Sequence, residues 1–194
     1  MAHSDQFCSR EELLALGFER VGQNLQISRK CSFYATKGSI GDNVRIDDFC
    51  ILKGQIVFGS YVHIGAFSMV SGAHGTVNLG DCTGLSAGVY VYTGTDIYAA
   101  TSLSNPTIPE NLVRTRKGNV AIRTGAVIGA HTIVLPNTVV GEGASIGAQC
   151  IAFGHIPRGA VVVNKGAKGE IVSYRDWEKI VGLAEDLIEQ RRTN

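Results

Sequence analysis

The sequence predicts an all-β solenoid, a chain wound into flat coils that stack on one another. Three observations carry that prediction. An aliphatic residue returns every sixth position in Ile40-Gly41-Asp42-Asn43-Val44-Arg45, Phe58-Gly59-Ser60-Tyr61-Val62-His63, Ile64-Gly65-Ala66-Phe67-Ser68-Met69, Ile128-Gly129-Ala130-His131-Thr132-Ile133 and Ile146-Gly147-Ala148-Gln149-Cys150-Ile151. This period fits neither the 3.6 of an amphipathic helix nor the 2 of a half-buried strand, so one structural unit is being stacked. Finally, 24 of the 194 residues are glycine while 44% are hydrophobic and only 18% charged, a balance of tight turns around a real core.

Each six-residue unit suits one short strand and one corner. Three units make a triangular coil of about 18 residues, and coils stack at about 4.8 Å. The aliphatic residue points inward, the small residue four places later fills the tight corner, and Gly, Asn or Asp between them supplies the turn. No coil buries its own apolar face, so stability comes from its neighbours.

The elements follow in order along one domain, 1–194. Ser9, Glu11-Glu12 and Leu13-Leu14 predict a capped helix over 9–17 that lids the first coil. Coils are expected over 27–92, with a slip in the rhythm at Val70-Ser71-Gly72-Ala73-His74-Gly75. The repeat stops over 93–119, an excursion of a length that is usually functional, and its prolines and apolar anchors predict an ordered loop. Coils resume over 120–157, and helical spacing predicts a C-terminal helix over 173–191, packed along the solenoid or on a neighbouring subunit.

Composition excludes several classes. A formal net charge of +1 gives no field to recruit nucleic acid or an anionic membrane. No apolar run approaches the roughly 20 residues that span a bilayer. The polar start Met1-Ala2-His3-Ser4 lacks a signal-peptide core, so a cytoplasmic protein is expected. The five cysteines include no Cys-x-x-Cys pair, and Cys31, Cys50 and Cys150 occupy the small inward position, where they are expected to pack as core residues.

From about Ser9 to Ile171 the chain resembles the hexapeptide-repeat acyltransferases, whose coils form a left-handed parallel β-helix. The helix before the coils, the excursion with Asn105-Pro106-Thr107-Ile108-Pro109, and the run Ile128 to Gly147 are similar to the sugar-modifying branch, which includes galactoside, maltose, O-antigen and capsule acetyltransferases. The resemblance implies transfer of an acetyl group from acetyl-CoA, without a metal, to a sugar hydroxyl, less favoured an amine, in surface polysaccharide biosynthesis. The acceptor classes are a free sugar, a nucleotide-linked sugar or a lipid-linked glycan. It implies a homotrimer with sites between solenoids, an arrangement that closed cyclic symmetry suits. By position, Gly129, Ala130, Gly147 and Ala148 match corners that hold the pantetheine arm, and Lys168, in a run with Lys165, matches a cation that meets the CoA phosphates. Each of these glycines and alanines equally suits a simple corner.

A hydroxyl acceptor needs a base, and histidine suits that task. Galactoside-type relatives carry it in the excursion before a proline, where this chain has Asn105. Asn105 therefore reads as a group for substrate binding or loop geometry, and His63 and His74 become the candidate bases, ahead of His131 and His155. Asp96 is placed to orient such an imidazole, or to cap a turn. A non-catalytic solenoid scaffold and a γ-type zinc carbonic anhydrase are the rival readings; the second needs three converging histidines that the spacing does not offer.

Overall fold

The computed structural model describes residues 6–97, 102–165 and 168–192. The chain winds as a parallel β-solenoid of about seven turns between two helices. Inward residues of the eight-stranded sheet are in register from coil to coil: Ile27, Ile46, Ile64, Leu85, Ile128, Ile146 and Val162. None of them is more than 7% exposed. Burying each such side chain contributes roughly 1.5–3 kcal/mol, which is why an aliphatic residue opens every unit.

The other two faces merge into a ten-stranded sheet, because Ser32–Ile40, Ile51–Phe58 and Met69–Leu79 each run across two faces and the corner between them. Cys50, Ser68, Val89, Thr132 and Cys150 fill one inner corner and are buried. Their hydroxyls are satisfied locally: Ser68 donates to the Gly65 carbonyl at 2.7 Å and Thr132 to that of Gly147 at 2.8 Å. Cys31 is only half-buried, its thiol 3.2 Å from the Asp47 carbonyl.

Helix α1 (Arg10–Ala15) starts at Ser9 with the reciprocal cap expected from Ser9 and Glu12, and buries Leu13 against the first coil. At the other end, the region expected to be helical from 173 begins differently. Lys168–Tyr174 is a strand, antiparallel to Ala160–Lys165, and helix α2 starts only at Trp177 and runs to Arg192. This returning strand is itself the eighth strand of the eight-stranded sheet, and by pairing with Ala160–Lys165 it covers what would otherwise be that strand's open edge. Helix α2 then rests on a corner of the last coils. A Cβ on Gly143 would lie 2.9 Å from the Trp177 Cα, and Gly143 itself has φ +63°, so only glycine fits both the turn and the helix above it. The Arg158 guanidinium lies 4.9 Å from the centre of the Trp177 ring and is paired to Glu142 at 2.8 Å.

Candidate active site

The described part of the excursion forms an arm. Gly94–Asp96 pairs antiparallel with Thr115–Lys117, and the Gly118 amide closes the base of the hairpin on the Thr93 carbonyl at 2.9 Å. Farther out, Leu103 donates to the Leu112 carbonyl at 2.9 Å beside a short 3-10 turn, Glu110–Leu112. Residues 98–101 lie outside the described part of the arm.

The slip in the repeat has a geometric cause. Gly54 pairs with Gly72 but Gln55 pairs with Thr76, so Ala73, His74 and Gly75 loop out of the Met69–Leu79 strand. The bulge is pinned from below by Thr93, fully buried, whose hydroxyl donates to the Ser71 carbonyl at 2.8 Å and accepts from the His74 amide at 3.1 Å. The imidazole of His74 then lies against Gly94, where a Cβ would come within 2.3 Å of its Cδ2.

Bulge and hairpin together enclose an open cleft of about 540 Å³ lined by Lys53, His74, Asp96, Asn105, Thr115 and Lys117. A second hollow, also bordered by His74, Asp96 and Thr115, extends it over Tyr92 and Ile133. Tyr92 is stacked on Tyr90 with ring centres 6.2 Å apart, and burial, then the neighbouring Tyr90, raises its phenol above the ordinary range. Asn105 has φ 131°, and its side-chain oxygen accepts from the Thr107 amide at 2.9 Å and hydroxyl at 2.6 Å. That oxygen is engaged in loop geometry. Its side-chain nitrogen has no protein partner among the described residues.

Thus three of the sequence-predicted site residues, His74, Asp96 and Asn105, share one cleft. His63 does not. It stands on the eight-stranded sheet, half-exposed, with Nε2 2.8 Å from Asp47, whose other oxygen accepts from Arg45 at 2.8 Å. Burial acts to raise the Asp47 carboxyl, but hydrogen bonds from Arg45 and His63 outweigh it and hold its pKa below the usual carboxylate range. His131 occupies a left-handed corner (φ 57°) over Gly88, and His155 lies on the last coil beside Arg158 and Glu142.

The expected pantetheine corners are adjacent in space: a Cβ on Gly129 would meet the Ala148 amide at 2.5 Å, and the Ala130 carbonyl accepts from Gln149 at 2.8 Å. They lie at the corner between the eight-stranded sheet, whose strands Val127–Ile128 and Ser145–Ile146 precede them, and the ten-stranded sheet, whose strands Ile133–Val134 and Ile151–Ala152 follow. Lys165 is exposed and 3.5 Å from Glu170. Lys168 pairs with Lys165 through its backbone, while its side chain lies outside the described structure. Among the described residues, no group of three or more His, Cys, Asp or Glu is arranged to hold a metal ion, and no helix is long and apolar enough to cross a membrane.

Sequence reasoning missed Lys53 and Lys117. In the sequence Lys117 belongs to a basic run with Arg114 and Arg116, a pattern that by itself suits a solvated face. Alternation along the hairpin strand is the signal that separates them, since Thr115 and Lys117 line the cleft and Arg116 does not.

No family model matches the chain. It is 36% identical, over 90% of its own length and 90% of the relative's, to a dTDP-4-amino-4,6-dideoxy-D-glucose acyltransferase of Escherichia coli. It is 27% identical over 88% of its length, and 90% of the relative's, to WbbJ, a putative lipopolysaccharide biosynthesis O-acetyl transferase of Escherichia coli K12. The crystal structure of AntD, an N-acyltransferase from Bacillus cereus in complex with dTDP and 3-hydroxybutyryl-CoA, superposes with a TM-score of 0.87 at 36% identity, covering 96% of this chain and 98% of that one. Stacked hexapeptide coils, the hairpin arm with its cleft, and identity along nearly the whole length together place the chain in the hexapeptide-repeat, left-handed β-helix family of sugar acyltransferases.

Proposed function

We propose that the chain transfers the acetyl group of acetyl-CoA to an amino group on the sugar of a dTDP-linked 4-amino-4,6-dideoxyhexose, a building block of surface polysaccharide. The observation that carries this reading is the convergence of His74, Asp96 and Asn105 in the hairpin cleft. The solved AntD structures add support. They include variants of an aspartate and of a serine ten positions before it, and two hold dTDP-4-amino-4,6-dideoxyglucose with CoA. Here Asp96 stands ten positions after Ser86. A hydroxyl acceptor, the first expectation from sequence, fits less well, because a sugar amine is nucleophilic without a histidine before the excursion proline.

In this mechanism the amine attacks the thioester carbonyl. The C–N bond forms, the C–S bond breaks, and sulfur leaves as the CoA thiol. Nitrogen sheds one proton to the Asp96 carboxylate, the departing sulfur takes one from the imidazolium form of His74, and exchange with solvent restores both groups. The Asn105 side-chain nitrogen donates to a sugar oxygen. His63, held by Asp47 on another sheet, takes no part in proton transfer.

The functional unit is a homotrimer. Ser86, Gly129 and Gly147 stack in one corner column with Ala130 and Ala148 beside it, whereas Asp96 rides on the hairpin that leaves after the following strand, Tyr90–Tyr92. In this reading a donor lying along that column meets the cleft of a second copy, with Lys165 and Lys168 near its phosphates. Both substrates are cytoplasmic metabolites, so the reaction is assigned to the cytoplasm.

The test is direct. Purified protein, acetyl-CoA and dTDP-4-amino-4,6-dideoxyglucose should release CoA thiol only when all three are present, and mass spectrometry should show one acetyl on the sugar, stable to mild alkali as an amide is. An alkali-labile product, or thiol release indifferent to the amino sugar, would refute the reading.

A further inference from the structure

The corner that carries the His74 bulge is irregular in both pairings of the strand Ile51–Phe58 with its neighbours. The register shifts between Tyr34 and Lys37 on one side, and on the other between Gly54 and Gln55, where the His74 bulge stands opposite. These departures line a second groove of about 530 Å³. Its floor is bare backbone: a Cβ on Gly54 would lie 2.4 Å from the Gly72 carbonyl oxygen, and one on Gly72 would lie 2.0 Å from that of Gln55. Around this floor stand Tyr34, 55% exposed, and the amines of Lys37 and Lys53, which have no acidic partner among the described residues. No Asp or Glu lines the groove. Lys53 also borders the cleft of His74, Asp96 and Asn105, so groove and cleft form one continuous trough.

We infer that this trough holds the nucleoside diphosphate of the acceptor, with Lys53 and Lys37 on the phosphates and the Tyr34 ring against the base. The inference rests on the proposed nucleotide-linked acceptor and assigns that acceptor its seat. A diphosphate needs cations, a close backbone floor and a flat ring at one end, and the groove of Tyr34, Lys37 and Lys53, with no acid in its own lining, supplies all three. The order of parts also fits. Tyr34 and Lys53 are on neighbouring strands, and the hairpin leaves two coils beyond Lys53. At about 4.8 Å per coil the path from ring to cleft is roughly 14 Å, which leads from base through phosphates to sugar. The diphosphate of CoA does not suit the trough, because Lys53 touches the cleft directly and leaves no length for a pantetheine arm between phosphate and reacting carbon.

Calorimetry of the full chain with dTDP and, separately, with CoA tests this. Lys53→Ala and Lys37→Ala should each weaken dTDP about tenfold to a hundredfold and flatten its salt dependence, with CoA affinity unchanged. Tyr34→Ala should weaken dTDP roughly five- to a hundredfold while Tyr34→Phe retains it, and inorganic pyrophosphate should compete with dTDP but ignore Tyr34→Ala. Equal dTDP affinity in wild type and all variants, each with an unchanged circular dichroism spectrum, would overturn the trough while leaving the acceptor class standing. Absence of dTDP binding to the wild type would overturn both. Loss of CoA affinity with dTDP unaffected would give the trough to the donor and overturn the inference.

Discussion

Replacing Gly94 by alanine perturbs the proposed proton-transfer group without touching it chemically. Gly94 has no positive φ, so its backbone accepts alanine. The added methyl would lie 2.3 Å from Cδ2 and 2.8 Å from Cγ of His74, against an ordinary contact of 3.4 Å or more. The imidazole must therefore shift by about 1 Å, a displacement that can cost roughly 10²-fold in rate when the group acts in the transition state. Because the clash is with a rotatable side chain, the stability loss should stay at or below the usual 1–3 kcal/mol of an overpacked site. The assay is thiol release in Gly94→Ala, His74→Ala and the double variant, with melting temperature and CoA affinity as controls. His74→Ala should lose about 10²–10⁴ in kcat/KM. The two losses should not add, since the methyl has nothing left to displace once the imidazole is gone. Full activity in Gly94→Ala, or a second hundredfold loss in the double variant, would refute the placement of His74 at the reaction centre.

Further outcomes follow from the same structure. Gly143→Val should dislodge α2, because its side chain would occupy the space of the Trp177 backbone; the fluorescence of Trp177, the only tryptophan, should shift to the red, and an unshifted spectrum would contradict the seat. Ile64→Ala, at a site with 0% exposure in the middle of the inward ladder, should cost about 2–5 kcal/mol in denaturant unfolding with the fold retained. The lowered pKa of Asp47 means its contribution to stability is fully present above about pH 4 and is lost as pH falls through its folded value. Asp47→Asn should thus narrow the stability difference between neutral and strongly acidic solution, and an unchanged acid profile would count against the Arg45–Asp47–His63 cluster.

The solenoid was legible because its signal is local and repeated. Ile46, Ile64, Leu85, Ile128 and Ile146 each open a unit in the sequence and each occupy the same inward ladder in the structure. The cap at Ser9 and Glu12 was legible for the same reason, as four consecutive positions suffice to make it. The hairpin was not, since Asp96 meets Thr115 across a stretch with no period, and only that pairing aims Asp96 and Lys117 into one cleft. The glycine-rich slip before the excursion was visible, but not that it thrusts His74 outward, because the bulge depends on how Gln55 and Thr76 pair between coils. The strand before α2 was missed because it forms only by folding back on Ala160–Lys165, and its β-branched Ile171-Val172 pair was outweighed by the helical spacing that follows. Gly125, Gly143 and Gly159 turn corners at φ +68°, +63° and +66°, yet they also seat α2 and the residues leading into it, a second use that no period records.

A crystal structure of the protein with CoA and dTDP-4-amino-4,6-dideoxyglucose tests the account most directly. The thiol sulfur and the sugar nitrogen should meet in the hairpin cleft beside Asp96, with His74 the nearest imidazole and the CoA laid along the Gly129 and Gly147 corners of a second copy. A thiol beside His63, with the hairpin cleft holding neither substrate, would contradict it.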